Sequence, residues 1–298
     1  MPVSLQLLLG AKPALRHSEI TDRLISVGCS LGVIGLGRMA QALLLPLLEQ
    51  GSWPPSEVIA VVGRSSTASR LVSELPDGLT VVEAADASAS SAWEGSLQLL
   101  AIKPHQLDAV AATAPPVGSG DPPLLISVLA GVTLARLEQA FPGRVCVRAV
   151  PNTPSLVRAG LTGLAWGNGI TDQHRQQVQA FFSPVSEVLV LPEERLDAFL
   201  ALTSSGPAYV AMIAEAMADG AVAVGMPRDQ AHHLAHRTLA GTAALLHEKH
   251  LHPAQLKDMV ASPGGTTMAA IRRLEQSGLR SALIEAVVAA AEHGKRLG

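Results

Sequence analysis

Aromatic residues are scarce: three Trp, four Phe and one Tyr make up 3% of the 298 residues. Apolar residues nevertheless account for 48%, so the core has to be built from Ala, Leu, Val and Ile. That excludes a disordered chain and disfavours an aromatic-rich sandwich. Excess charge of one sign is also missing. Lys plus Arg number 22 against 25 Asp plus Glu, a net charge of -3, and nothing in that balance recruits a polyanion, so no nucleic-acid partner is expected. Cysteine is limited to Cys29 and Cys146, far apart and without a CxxC pair. A disulfide scaffold is excluded, and two reduced thiols packed in strands of a cytoplasmic protein are expected. No uninterrupted apolar run approaches the roughly 20 residues that cross a bilayer, so no membrane partner is expected. Before residue 28 the one apolar patch is Leu7-Leu8-Leu9, with no basic region ahead of it. A cleaved secretion signal is not expected, and residues 1–29 read as a leader, disordered and outside the folded core.

The chain is long enough for two domains, each with its own core. Up to Trp166 it alternates short apolar runs with Ala-rich helical stretches, the pattern of parallel βαβ units. Strands are expected at Gly32 to Leu36, Val58 to Val62, Leu79 to Val82, Leu97 to Ile102, Leu124 to Leu129 and Val145 to Val150. They read as continuous apolar runs, as strands buried on both faces do. Two late strands, Leu161 to Trp166 and Glu187 to Leu191, flank a helix over Gln173 to Phe182 and extend the sheet. Beyond Leu196 strand-like runs vanish, and the text becomes helical, rich in Ala, Leu and His. The fold class is α/β: a dinucleotide-binding Rossmann domain over 30–192, then an all-helical domain over 193–298. The helix Pro207 to Val224 is apolar on every side, with Glu215 and Asp219 its only charges. So small a domain has little core to cover it, and obligate pairing of two copies through this half follows.

Gly35-Leu36-Gly37-Arg38-Met39-Ala40 follows an apolar strand and opens the helical stretch Gln41 to Glu49. This is GxGxxA in the strand-turn-helix setting of a dinucleotide site. The first glycine permits the turn, and the second lets the backbone approach the pyrophosphate. The alanine lets helix pack on strand. After the second strand, where an NAD site carries a carboxylate for the ribose 2′-hydroxyl, stand Gly63-Arg64-Ser65-Ser66-Thr67. An arginine and three hydroxyls suit a 2′-phosphate, so NADPH is the expected cofactor and NADH a weaker second. Lys103-Pro104 and Ala130-Gly131 follow the fourth and fifth strands, at the carboxyl ends where open α/β sheets bind ligands. Near the C-terminus, Ser262-Pro263-Gly264-Gly265-Thr266-Thr267 precedes the helical run Met268 to Gln276. Unpaired backbone N–H groups and three hydroxyls make an anion site without formal positive charge, suited to a small carboxylate. His232 and His236 stand four apart, with His247, His250 and His252 beyond them. There is no HExxH and no suitably placed carboxylate, so no metal is expected; GxSxG is also absent.

Taken together, Val33-Ile34-Gly35-Leu36-Gly37, Ala101-Ile102-Lys103-Pro104, Ala130-Gly131-Val132-Thr133, Pro151-Asn152-Thr153-Pro154, Ser205-Gly206-Pro207-Ala208-Tyr209 and the block Pro253 to Glu275 resemble pyrroline-5-carboxylate reductase. The resemblance runs from about Ser30 to the C-terminus. It implies a Rossmann domain joined to a helical dimerisation domain, with the active site between one subunit's NADPH domain and helices partly from its partner. It further implies a homodimer that often assembles into a ring of dimers. Carried over by position, the carboxylate-binding loop falls on Ser262, Gly264, Gly265 and Thr266, and the hydroxyl that bonds the ring nitrogen on Thr267. Phosphate and adenosine contacts fall on Gly35, Leu36, Gly37, Arg38, Met39 and Arg64. Those to ribose and nicotinamide fall on Ala101, Lys103, Pro104, Ala130 and Gly131. Two departures stand out. An asparagine common near the end of the third βα unit has no equivalent among Ala85, Asp86 and Ala87, and Met259 replaces an asparagine of some relatives just before the loop.

The implied activity is hydride transfer from NADPH to the imine carbon of the small-molecule substrate 1-pyrroline-5-carboxylate, giving L-proline in the last step of its biosynthesis. Three alternatives stand beside it. A β-hydroxyacid dehydrogenase shares the fold but relies on a lysine in its helical domain, and this chain has no lysine between Lys103 and Lys249. A non-catalytic NADPH-binding regulator has little use for a second anion site. A reductase of a related cyclic imine carboxylate, such as a six-membered ring, is the nearest rival, because these residues do not give pocket width.

Overall fold

The computed structural model of the chain describes residues 30–296; the expectations for residues 1–29, Cys29 included, lie outside the described residues. Two compact units emerge, residues 30–204 with 289–296, and residues 205–288.

The first unit is built on one eight-stranded sheet in the order β3-β2-β1-β4-β5-β6-β7-β8. The strands are β1 (Leu31–Ile34), β2 (Val58–Val62), β3 (Thr80–Glu83), β4 (Leu97–Leu100), β5 (Leu124–Ser127), β6 (Val145–Val150), β7 (Gly160–Trp166) and β8 (Ser186–Val190). From β3 to β6 all pairs are parallel, and β7 pairs antiparallel with β6. The reversal has a simple cause. A parallel return needs a crossover of about a dozen residues or more, whereas β6 and β7 are joined through the short 3-10 turn Thr153–Val157. A full helix, α5 (Asp172–Phe182), then carries the chain over to β8, which pairs parallel with β7.

The expected strands are present, and β1, β4, β5 and β8 end earlier than their apolar runs. Residues 35–36, 101–102 and 128–129 turn out of the sheet to form loops at its carboxyl edge. Burial on both faces holds for β1, β4, β5 and β6. It does not hold for β3 and β8, which are partly exposed because each lies at an edge of the sheet with a neighbour on one side only. One core lies beneath α1 (Arg38–Glu49), where Leu43, Leu44 and Leu47 pack on Leu31, Val33 and Val58. Truncating any of these leucines to alanine costs about 2 to 5 kcal/mol. Trp53 meets Phe181 edge to face at 6.1 Å in the same core. A second core places Leu137 and Phe141 against Leu125 and Cys146. The remaining helices of this unit are α2 (Ser65–Glu74), α3 (Leu107–Ala111), α4 (Leu134–Ala140) and α6 (Leu196–Phe199).

The helical unit contains α7 (Gly206–Ala223), α8 (Arg228–Glu248), α9 (Pro253–Val260) and α10 (Thr266–Gln276), and α11 (Leu279–Lys295) begins in it. Its buried apolar residues are four alanines, Ala214, Ala218, Ala231 and Ala235. Large apolar side chains stay outside, with Met212 69% and Val224 87% exposed. The expectation that the small helical domain has little core to cover α7 matches this among the described residues. The helical stretch Glu193–Ala223, which contains α6 and α7, is long and apolar enough, by length and composition alone, to cross a membrane. It contains no long uninterrupted apolar run, because Thr203-Ser204-Ser205-Gly206 breaks it at the end of the π turn Leu200–Ser204.

The expected boundary at 192/193 differs from the division of the compact units between Ser204 and Ser205. Leu196 is buried in the second core, with Phe199 and Leu200 packed against it, and polar bonds add to this. Arg148 on β6 bonds Glu193 and Asp197. Asn152 Nδ2 donates to the Thr203 carbonyl at 3.0 Å, and Ser204 Oγ donates to that of Pro151 at 3.0 Å. Residues 193–204 therefore fold with the sheet.

Candidate active site

The parallel order of β2, β1, β4 and β5 brings four loops to one edge of the sheet, each leaving the carboxyl end of its strand: Gly35 to Gly37, Gly63 to Arg64, Ala101 to Pro104, and Ala130 to Gly131. All eleven expected cofactor residues, Arg38 and Met39 at the head of α1 included, thus lie on or beside this edge. β1 is the strand where the order reverses, and open α/β sheets bind ligands at such a point.

Gly35 makes the turn. Its φ is +95°, and a Cβ there would stand 2.7 Å from the Ala101 carbonyl oxygen. Its N–H donates to Val61 at 2.9 Å. Gln41 Nε2 donates to the Leu36 carbonyl at 2.9 Å and braces the same turn from inside α1. Gly37 differs. It is the N-cap of α1 with extended backbone, no side chain caps the helix there, and nothing lies within 4 Å of where its Cβ would be. That open cradle fits a pyrophosphate approaching the first turn of α1. Ala40, fully buried, lets the helix sit against β1. Arg64 caps α2 from an exposed position, followed by Ser65, Ser66 and Thr67, and no carboxylate stands at the end of β2. The donor set therefore fits NADPH: backbone N–H groups for the pyrophosphate, and a guanidinium with hydroxyls for the 2′-phosphate.

The Ser262 to Thr267 loop belongs to the helical unit, between α9 and α10. Gly264 turns it with φ +70°, and the Gly265 N–H donates to the Ser262 carbonyl at 3.0 Å. Ser262 Oγ occupies the space beside Gly265, 2.5 Å from where a Cβ would be, so a side chain there would displace the serine hydroxyl. Gly265 caps α10 with no side chain over the helix end. Ser262, Gly264 and Thr266 are exposed, while Gly265 and Thr267 are half-buried. The loop thus presents backbone donors and hydroxyls to an anion.

Other features lie apart from these loops. Cys146 is buried in β6, and burial, with a smaller push from Glu138, raises its thiol to about 12, so it is no nucleophile. The His232 and His236 rings are 6.2 Å apart, and among the described residues no group of three or more His, Cys, Asp or Glu could hold a metal. A cavity of about 770 Å³, lined by Trp93, Arg144 and His174 among others, opens at the amino ends of β4, β5 and β6, on the edge opposite the expected cofactor residues.

Arg148 was not among the expected site residues. The sequence signal was a single arginine inside the apolar run Val145 to Val150, followed by two glutamates after β8.

Comparisons with known proteins agree with this architecture. The family model for pyrroline-5-carboxylate reductase dimerisation matches residues 193–297, and that for coenzyme F420-dependent NADP oxidoreductases matches 30–131. Pyrroline-5-carboxylate reductase of Synechocystis is 42% identical over 268 residues, spanning 90% of this chain and 98% of its own. The Escherichia coli reductase is 36% identical, spanning 90% and 97%. Among solved structures, the Coxiella burnetii reductase aligns with a TM-score of 0.75 at 29% identity, over 91% of this chain and 98% of that one. The Plasmodium falciparum reductase, solved with NADP bound, aligns at 0.81 and 25% over the same shares, 91% and 98%. On sequence, length and fold, the chain belongs to the pyrroline-5-carboxylate reductase family.

Proposed function

We propose that the protein reduces 1-pyrroline-5-carboxylate to L-proline with NADPH, the last step of proline biosynthesis. The observation that carries this is the pairing, in one chain, of an uncapped Gly37 cradle on a Rossmann edge with the Ser262 to Thr267 anion loop. When bound, the cofactor supplies a hydride, two electrons and a proton together, to the imine carbon. The chain's own residues bind and orient. Backbone N–H groups at Gly264 and Thr266, with the Ser262 hydroxyl, hold the substrate carboxylate, and Gly265, whose own N–H is bonded to the Ser262 carbonyl, shapes the loop around it. Thr267 Oγ1 hydrogen-bonds the ring nitrogen as it changes from imine to amine. Gly35, Leu36, Gly37, Arg38, Met39 and Arg64 hold the phosphate and adenosine end of the cofactor, and Ala101, Lys103, Pro104, Ala130 and Gly131 border its ribose and nicotinamide. Holding the reacting carbons about 3 to 3.5 Å apart supplies most of the rate enhancement. The nitrogen's proton comes from solvent, since threonine is a poor acid.

The working unit in this reading is a homodimer in the cytoplasm, with dimers closing further into a ring. Its support is the helical unit's alanine core and exposed Met212 and Val224, together with a matched dimerisation segment. A second copy, rather than a bilayer, covers the apolar stretch of α7.

The test is NADPH oxidation by the purified protein with 1-pyrroline-5-carboxylate, with the six-membered analogue and NADH in parallel. Rapid turnover of the five-membered imine with NADPH is expected. NADPH binding without turnover of either imine overturns the reading in favour of a cofactor-binding regulator, and faster turnover of the larger ring reassigns the substrate.

A further inference from the structure

Arg148 is the one charged residue of β6, and its side chain is only 2% exposed. Its guanidinium spans two carboxylates, Nη1 to Glu193 Oε1 at 3.2 Å and Nη2 to Asp197 Oδ1 at 2.7 Å. The same Glu193 oxygen accepts a second hydrogen bond, at 2.7 Å, from the backbone N–H of Leu134. Leu134 is the first residue of α4, and Thr133 Oγ1 caps that helix by accepting from Arg136 N–H. Five residues, 128–132, connect β5 to this cap through the Ala130-Gly131 turn, where Gly131 is buried with φ +79°. Its far end is therefore anchored by a carboxylate from a segment 59 residues later in the chain.

We propose that Glu193, held in place by Arg148, is a positioning residue for the nicotinamide end of the cofactor, acting through the Leu134 N–H on the Ala130-Gly131 turn. The inference rests on the assignment of that turn to the nicotinamide side. The geometry distinguishes it from a general brace. Glu193 bonds one backbone donor at the far end of one of the cofactor loops, and no described bond of Glu193, Arg148 or Asp197 reaches Gly35 to Gly37 or Arg64. Loss of Glu193 should then disturb one end of the cofactor and spare the other. Because Glu193 also opens the segment matched by the dimerisation family model, the bond ties the start of that segment to a cofactor loop.

The experiment compares two ligands by direct binding to the intact protein, NADPH and adenosine 2′,5′-bisphosphate, which lacks the nicotinamide half. Glu193→Ala is expected to raise the Kd for NADPH about 10-fold, the loss of one charge-assisted hydrogen bond, and to leave that for the bisphosphate within about twofold. Glu193→Gln keeps the accepting oxygen and should restore most of the affinity. Arg148→Lys keeps the charge in β6 but cannot span both carboxylates, and it should show the same selective loss. If the alanine variant does not fold, the lysine variant still decides. Equal weakening of both ligands would mean a structural brace only, and unchanged NADPH binding in a folded variant removes the role altogether. Failure of the wild type to reduce the imine would sink the proposed function, yet the binding comparison would still report on the Glu193 anchor.

Discussion

Gly35 and Gly37 stand two residues apart in one motif, and the structure gives them opposite liabilities. Gly35→Ala meets two obstacles. Its φ of +95° disfavours any L side chain, and the added methyl would lie 2.7 Å from the Ala101 carbonyl oxygen and 2.8 Å from its carbon, which are backbone atoms of an adjoining loop. Left-handed strain of about 1 to 2 kcal/mol plus overpacking of about 1 to 3 kcal/mol predicts a stability loss of about 2 to 5 kcal/mol. Gly37→Ala meets neither. Its backbone is extended and nothing stands within 4 Å of the new methyl, so stability should change by less than about 1 kcal/mol, the ordinary cost of alanine at an N-cap. What that methyl occupies is the space through which a pyrophosphate reaches the first turn of α1. Losing one charge-assisted hydrogen bond, worth about 1.5 to 3 kcal/mol, raises the Kd for NADPH about 10- to 150-fold. Thermal unfolding of the two variants without ligand, followed by NADPH titration of each, measures both quantities. If Gly37→Ala melts as early as Gly35→Ala, or binds NADPH as tightly as the wild type, the argument for the cradle fails.

The other expectations need less working. Thr267→Ala should lower kcat/KM for the imine by roughly 10- to 1000-fold, corresponding to the loss of one transition-state hydrogen bond, with NADPH affinity unchanged; steady-state kinetics decide it, and an unaltered rate removes the role. Arg64→Ala should weaken NADPH about 10-fold and leave NADH unaffected, so the ratio of the two kcat/KM values is the readout. Burial raises the Cys146 thiol from its ordinary value near 9.0 to about 12 in the folded protein. Its contribution to stability is therefore complete below pH 9 and is lost as pH rises from there toward 12; denaturant melts should show a steeper alkaline fall for the wild type than for Cys146→Ala, and parallel profiles would refute the burial argument.

The strands were legible because an apolar run bounded by glycine or proline has few other uses, and the cofactor loops were legible because a turn into a helix over a phosphate demands glycine at fixed spacing. Strand ends were less so. Leu36, Ile102 and Leu129 are as apolar as any core residue, but they lie in loops that pack down onto the sheet, and hydropathy does not distinguish a buried loop from a strand. The tie between β6 and residues 193–204 was hidden for a different reason. Arg148, Glu193 and Asp197 are separated by 45 and 49 residues, and no local pattern relates a lone arginine in a strand to carboxylates that far downstream. The helical unit shows the converse. Its sequence carries the apolar residues for a core, and the fold of one chain encloses four alanines while leaving Met212, Val210 and Leu234 outside. A surplus of apolar side chains over enclosed volume is a property of the sequence and fold together. At about 25 cal/mol per Å², exposed apolar area of this kind favours association with another apolar surface, and a second copy of the same helices is the surface always present with it.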